Sequence, residues 1–347
     1  MVTTCHAQSP FMIPDNKQSA VKKALQTAFR VSEFDSIQQL TEGLSTALTF
    51  KIIVQEKPYL LRVITRTDAM ADPSYYYDCM KIAAEKELAP RIHYLNTEDR
   101  ISITDFINEQ PFPIAEGRER LPELFRKLHS LPKFPFRLNY FDRMEGLIQR
   151  FRSSDVLPGN MTKEFFELYD HIASVYPRKD QENWVSCHND VKPENIVFDG
   201  RRPWFVDWEA AFLNDRYLDL AIIANFVIRN DKDEENYLQK YFGQSLNEYH
   251  HARFFLMRQM LHMFYFTFLT LFHTGDKPID INSVEKQDFT QFHDGMWNSE
   301  ISLASDNIKL QYALLHMEQL RRNMQLKRLD ESLQIVSRSK SSVRDLL

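Results

Sequence analysis

The sequence of 347 residues predicts an α+β fold in two parts, a small antiparallel sheet followed by a larger, mainly helical portion. Three observations lead there. Short runs in which apolar and polar residues alternate fill much of the chain before Asn108. A proline-bearing link, Gln110-Pro111-Phe112-Pro113, follows them. Beyond the link, apolar residues recur at helical spacing to about Ser337.

In chain order, Asp15 or Asn16 is placed to cap a first helix whose Val21, Leu25, Ala28 and Phe29 share one face. Leu48, Phe50, Ile52 and Val54 then alternate with Thr49, Lys51 and Ile53 as a strand. A turn over Gln55-Glu56-Lys57-Pro58 returns the chain into Tyr59–Ile64. A helix is expected over Tyr75–Glu87, ending before Pro90. Strands are expected at Arg91–Leu95 and Arg100–Ile107. After the link, helices are expected over Arg118–Ser130 and near Arg143–Arg152 and Lys163–Val175, with a short β insertion around Val185–Val206. The stretch Phe254–Phe272 is long enough to span a bilayer, but it contains Arg258, Gln259 and His262 and reads as a buried core helix. Ser337 to Leu347 is polar and Ser-rich and is expected to fray.

Hydrophobic residues make up 43% and charged residues 26%, the balance of a folded soluble protein. Eight glycines against 26 phenylalanines indicate few loose linkers and a large aromatic core. A net charge of −5 argues against a dominant nucleic-acid-binding face. The three cysteines, Cys5, Cys79 and Cys187, form no metal-type pair, and Met1–Pro10 lacks a signal-peptide pattern; both fit a cytoplasmic setting. Oligomeric state leaves no mark on the sequence.

The chemistry concentrates between Cys187 and Glu209. Ile196–Phe198 and Trp204–Val206 read as two short strands around an Asp-Gly turn. If Phe198 faces Trp204, then Ile196 faces Val206 and Asn195 faces Asp207. An amide oxygen and a carboxylate, both hard ligands suited to magnesium, would then point at one spot. Asp190, in the entering loop, can face the same spot without binding metal. Such a set answers the needs of phosphoryl transfer: a metal pair for phosphate oxygens, a carboxylate for the attacking hydroxyl, and Lys192 to offset developing charge.

This stretch resembles the catalytic loop and metal segment of the aminoglycoside phosphotransferase and choline kinase superfamily, relatives of protein kinases. His188, Asp190, Asn195 and Asp207 match the shared pattern one by one. The resemblance implies a two-lobed, protein-kinase-like fold that uses ATP and Mg2+. It divides the chain into a nucleotide-binding lobe at 1–107, a catalytic and substrate lobe at 108–337, and a polar tail at 338–347. It implies a scaffold role for His188, the catalytic base at Asp190 and magnesium ligands at Asn195 and Asp207. It further implies nucleotide contacts at Gly43 and Ser45 in the turn Glu42–Thr46, at Arg62, and in the hinge Thr104–Ile107, here Asp105 and Ile107. Asp78 or Glu85 is the expected partner of Arg62. His129 and Asp219 take structural roles, and Glu209 stays open between a second magnesium, the substrate and a solvated loop acid.

Only eleven residues separate Asp207 from Asp219, too few for the peptide-positioning loop of a protein kinase. A small hydroxylated acceptor, an amino alcohol or an aminoglycoside-like molecule, therefore leads over a protein acceptor, and the complete set of Asp190, Asn195 and Asp207 puts it ahead of a nucleotide-binding module without activity. Cys-His-Asn-Asp with Val-Asp-Trp-Glu is closer to choline and ethanolamine kinases. A quaternary ammonium would call for aromatic walls, for which Phe254, Phe255, Tyr265, Phe266, Phe268 and Trp297 are candidates. An aminoglycoside would call for acids such as Asp231, Asp233, Glu234 and Glu235.

Overall fold

In a computed structural model, which describes residues 13–40, 47–68, 71–275 and 277–344, the alternating runs before Asn108 close into one antiparallel sheet. The chain divides into two compact units, the first ending at Asn108 and the second beginning at Glu109.

In the first unit the strands β1 (Ser36–Leu40), β2 (Ala47–Val54), β3 (Lys57–Ile64), β4 (Ile92–Asn96) and β5 (Ile101–Asp105) lie in the order β1-β2-β3-β5-β4. The turn between β2 and β3 is tighter than the sequence suggests. Val54 pairs with Lys57, and Gln55 and Glu56 both take positive φ, at 51° and 64°. Two left-handed residues give the hairpin the twist of its strands, so Pro58 falls inside β3. Helix α1 (Asp15–Phe29) starts after Pro14 with no side-chain cap, and Asp15 sits in the first turn rather than at the cap. Its Val21, Ala24 and Leu25 pack on Phe50, Ile52, Leu61, Val63 and Ile103, the inward-facing positions of β2, β3 and β5. Helix α2 (Ser74–Glu85) ends short of Pro90, with Glu87 at φ 55° turning the chain.

The second unit opens with α3 (Ile114–His129), α4 (Tyr140–Arg152) and α5 (Gly159–Val175), each beginning before its first strongly periodic residue. Pro113 and Pro158 hold the extended positions just ahead of α3 and α5, and Asn139 caps α4 by accepting from Phe141 N–H. The β insertion holds four strands: β6 (Trp184–Cys187), β7 (Ile196–Phe198), β8 (Pro203–Phe205) and β9 (Phe212–Asp215). β7 pairs with β8, and β6 with β9, a pairing across 25 residues that local pattern does not reveal.

The remaining helices are α6 (Arg216–Val227), α7 (Asp231–Phe242), α8 (Glu248–Thr274), α9 (Phe289–Trp297), α10 (Asp306–Met324) and α11 (Lys327–Arg344). α8 contains the long apolar stretch. It packs against α4, α5, α6, α10 and α11, which explains why its apolar residues lie all round the helix. Several of its polar groups are answered inside the unit: Thr267 and Thr270 donate to Met263 and Phe266 carbonyls, Asn323 donates to Gln259, and Arg258 pairs with Glu234. Among the described residues no helix is long and apolar enough to cross a membrane. The polar stretch after Ser337 does not fray at once, because α11 continues to Arg344. Leu329, Leu333 and Val336 anchor the helix, and each added residue then gains a backbone hydrogen bond.

Candidate active site

The loop that follows β6 is held from below by one carboxylate. Asp219, in the first turn of α6 and fully buried, accepts the backbone N–H of His188 at 2.9 Å and of Asn189 at 2.7 Å. His129 of α3 also reaches Asp219, at 3.2 Å, and contacts the Tyr241 hydroxyl with its other nitrogen. Burial holds the His129 imidazole below its usual pKa against the pull of Asp219. His188 fixes the far side by donating Nε2–H to the Val206 carbonyl at 2.9 Å.

Asn189 sits at φ 65°, a conformation that costs a non-glycine residue on the order of 1 kcal/mol or more. Its side chain is clamped to compensate. Nδ2 donates to the Ala210 carbonyl at 2.9 Å, and Oδ1 accepts from Asn214 at 2.8 Å. This turn delivers Asp190 to the surface of the unit, where 42% of its side chain is exposed.

Around Asp190 the structure gathers Lys192 and Asn195. The Lys192 ammonium lies 3.6 Å from Asp190 Oδ2, and Asn195 Nδ2 donates to the same oxygen at 2.8 Å. Pro193 opens a single 3-10 turn, Pro193–Asn195, that carries Asn195 back toward Asp190. Burial raises the Asp190 carboxyl above the usual carboxylate range, Lys192 pulls it down, and Asp207 adds to the rise. Burial works against the charge on Lys192, yet Asp190, Glu194 and Asp207 outweigh it and raise its pKa. Asp207 therefore acts on both residues through space.

The register that brings Asp207 here differs from the expected one. Ile196 pairs with Phe205 and Val197 with Trp204, so Asn195 faces Val206, whose N–H it receives at 3.0 Å. The loop chemistry causes the one-residue slip. Asp199 accepts from Arg201 N–H at 2.7 Å, Arg202 N–H at 2.8 Å and Trp204 Nε1 at 2.8 Å, closing a four-residue loop with Gly200 at φ 86°. Asp207 itself takes φ 59°, which turns the chain out of β8 into a 3-10 turn. The donor set suits a magnesium ion: with Nδ2 committed to Asp190, Asn195 offers only its hard Oδ1 oxygen, alongside the Asp207 carboxylate.

The expected nucleotide residues lie in the first unit. Arg62 is half-buried in β3, between Thr49 and Ser102. Asp105 ends β5, where its carboxylate meets His93 Nε2 at 2.7 Å and its N–H donates to the Arg91 carbonyl. Ile107 follows, half-buried. Gly43 and Ser45 lie outside the described residues. Asp78 and Glu85 are exposed on α2, along a groove of about 600 Å³ also lined by Lys81 and Arg91.

Of the proposed aromatic walls, Phe254, Phe255 and Phe266 are core, and Trp297 fills the space left by Gly117, where a Cβ would come within 2.9 Å of its ring. Tyr265 differs. Burial raises its phenol pKa, and the carboxylates of Asp190 and Glu194 add to the shift. Tyr312 of α10, 5.4 Å from Tyr265 between ring centroids, is also raised by burial, then by Tyr265 and Glu194. Tyr265 thus lies within the field of Asp190 and of the exposed Glu194, with Tyr312 packed against it, and the sequence marked only Tyr265.

Comparison with known proteins gives the family. The sequence model of the phosphotransferase enzyme family matches residues 36–255. The chain belongs to that family. Protein LicA of Haemophilus influenzae is 35% identical to this phosphotransferase over 75 residues, which are 22% of the chain and 28% of LicA, so the match covers less than a third of that protein. A choline/ethanolamine kinase family protein from Mesorhizobium loti superposes with a TM-score of 0.66 at 19% identity, over 92% of this chain and 99% of its own. Choline kinase LicA from Streptococcus pneumoniae gives 0.57 at 14% identity, over 87% and 99%. A spectinomycin phosphotransferase solved with ADP and spectinomycin gives 0.54 at 12% identity, over 89% and 100%. At these identities the likeness establishes the kinase-like α+β fold, and the family match establishes a phosphotransferase enzyme.

Proposed function

We propose that this phosphotransferase is a small-molecule kinase that moves the γ-phosphoryl group of ATP to the hydroxyl of a small cationic amino alcohol, of the choline or ethanolamine type. The observation that carries the acceptor class is the partly buried ring of Tyr265, 5.4 Å from that of Tyr312 and within the field of Asp190 and Glu194. A hydroxyl held at Asp190 would leave a molecule's ammonium end against aromatic faces and a carboxylate. Each cation–π contact would contribute on the order of 1 kcal/mol. The similarity in fold to a choline/ethanolamine kinase family protein and to a choline kinase supports that reading.

In this reading Asp190 orients the acceptor hydroxyl and receives its proton, a task favoured by a carboxyl whose pKa is raised. Lys192 stands 3.6 Å away to face charge developing on the transferred group. Asn195 and Asp207 would hold magnesium, which would neutralise the phosphate oxygens of ATP, the phosphoryl donor. Arg62, Asp105 and Ile107, with Gly43 and Ser45, are the proposed nucleotide contacts. Three of the four acids named for an aminoglycoside-like acceptor are engaged within the unit. Asp233 pairs with Arg118, Glu234 with Arg258 and Arg328, and Glu235 with His251.

The test is ATP consumption with magnesium across choline, ethanolamine, N-methylated ethanolamines and spectinomycin. Stimulation by an amino alcohol, lost in Asp190→Asn by roughly 10²-fold or more, is expected. Stimulation by spectinomycin alone, labelling of proteins instead, or nucleotide binding with no turnover on any acceptor would replace the proposal.

A further inference from the structure

Arg253 of α8 is fully buried and carries its charge between two carboxylates and three aromatic rings. One amino group of its guanidinium reaches Asp180, and the other reaches Asp215 at 2.6 Å. The rings of Tyr217, Tyr176 and Tyr249 lie 4.7, 5.0 and 5.7 Å from its carbon. A buried arginine charge needs counter-charges, and both terminal amino groups of this one find a carboxylate.

What Arg253 holds leads toward the reacting loop. Asp215 Oδ2 takes the guanidinium and the Tyr176 hydroxyl, at 2.6 and 3.1 Å. Its Oδ1 accepts Tyr217 N–H at 3.0 Å, capping α6. One turn later α6 presents Asp219, whose two oxygens hold the amides of His188 and Asn189. Asn189, in its left-handed conformation, is the residue before Asp190. Asp215 also ends β9, which pairs through Trp184 with the strand feeding the loop. A strained residue keeps its conformation only where its surroundings over-determine it, and this network ties the strain to α8.

We propose that Arg253 is a positioning residue for phosphoryl transfer: by fixing Asp215 it sets the start of α6, and so keeps Asp219 under the amides that present Asp190. The inference rests on the reading of Asp190 as the residue that meets the acceptor. Arg253 touches no reactant in this scheme, and its effect passes through the loop.

Arg253→Lys keeps the charge but loses the fork that bridges Asp180 and Asp215. Asp215→Asn keeps a cap for α6 and removes the ion pair. For each folded variant, kcat and KM for ATP are measured with the acceptor found above, and amide hydrogen exchange is followed over residues 186–192 and over α10. The expected result is a kcat at least tenfold lower in both variants, with KM for ATP within twofold and faster exchange confined to 186–192 and the start of α6. A kcat within twofold of wild type in both folded variants overturns the proposal. Exchange raised equally in α10 overturns it too, since Arg253 would then serve general stability alone. Should the Lys variant not fold, the Asn variant decides on the same criteria. Failure of the underlying reading looks different: Asp190→Asn would then keep wild-type turnover, whatever the Arg253 variants do.

Discussion

Both amide hydrogens of Asn195 go to Asp190, one to its backbone carbonyl and one to its carboxylate, each at 2.8 Å. The pair locks the amide plane, so the oxygen that would meet magnesium and the carboxylate that would meet the acceptor are set by one interaction.

Asn195→Asp separates the two tasks. It keeps an oxygen for the metal but replaces two N–H donors with a carboxylate facing Asp190. Two like charges at that distance raise the proton affinity of the pair. Expected are a kcat lowered by roughly 10²-fold and an acidic limb of the kcat profile displaced to higher pH. A kcat unchanged across pH would mean that the hydrogen bonds to Asp190 do not matter to turnover.

Lys192→Ala tests the second neighbour by the sign of a pH shift. Burial raises the Asp190 carboxyl and Lys192 opposes that rise. Without the ammonium the carboxyl moves higher still, so the acidic limb of kcat shifts to higher pH while the plateau falls. A limb displaced to lower pH would contradict the arrangement. Lys192→Arg, which keeps the charge, is expected to leave the limb near its wild-type position.

The sequence made the two-part division and the loop from Cys187 to Asp207 readable because both rest on local signals: alternation, helical spacing, and side chains within twenty residues of one another. What it hid is non-local. Trp184 and Asp215 pair across the insertion, Tyr312 reaches Tyr265 from a helix some forty residues later, and Arg253 acts on a loop that lies before it in the chain. The hairpin register slipped by one because Asp199 binds its own loop, an effect that the strand pattern alone does not weigh. Phe254, Phe255 and Phe266 were plausible pocket walls by type, but α8 is packed on several sides and buries them. Tyr265 differs in being only partly buried.

Tyr265→Ala and Tyr265→Phe separate aromatic contact from the phenol group. The ring of Tyr265 stacks on His316 at 4.7 Å, so its orientation survives loss of the hydroxyl. The Phe variant is expected to keep KM for a quaternary amino alcohol within about threefold, and the Ala variant to raise it by about tenfold, the loss of one or two cation–π contacts. KM for ATP should not move. Equal KM for the acceptor in all three proteins would remove Tyr265 from the acceptor site.

The histidines behind that wall make the fold sensitive to acid. His262 and His316 share an Nδ1–Nδ1 hydrogen bond at 2.7 Å, and His293 bridges the Phe289 carbonyl, at 2.7 Å, and the Tyr312 hydroxyl, at 3.2 Å. All three are fully buried. Burial lowers each imidazole, His293 to about 3 and the other two well below the ordinary value, with nearby Arg258 adding to the effect. Above pH 6.5 these groups are neutral whether the chain is folded or not, and they contribute no pH dependence. As pH falls through 6.5 the unfolded chain gains protons that the folded one refuses, so stability is lost at up to ~1.4 kcal/mol per pH unit for each histidine. The loss continues until the folded groups titrate, for His293 near 3. Urea unfolding at pH 7, 6 and 5 measures it. His293→Gln, which keeps hydrogen-bonding groups, should flatten the slope between pH 6 and 5 by about 1 kcal/mol per unit, whatever it costs at pH 7. An identical slope in wild type and variant would show that His293 takes up its proton without unfolding.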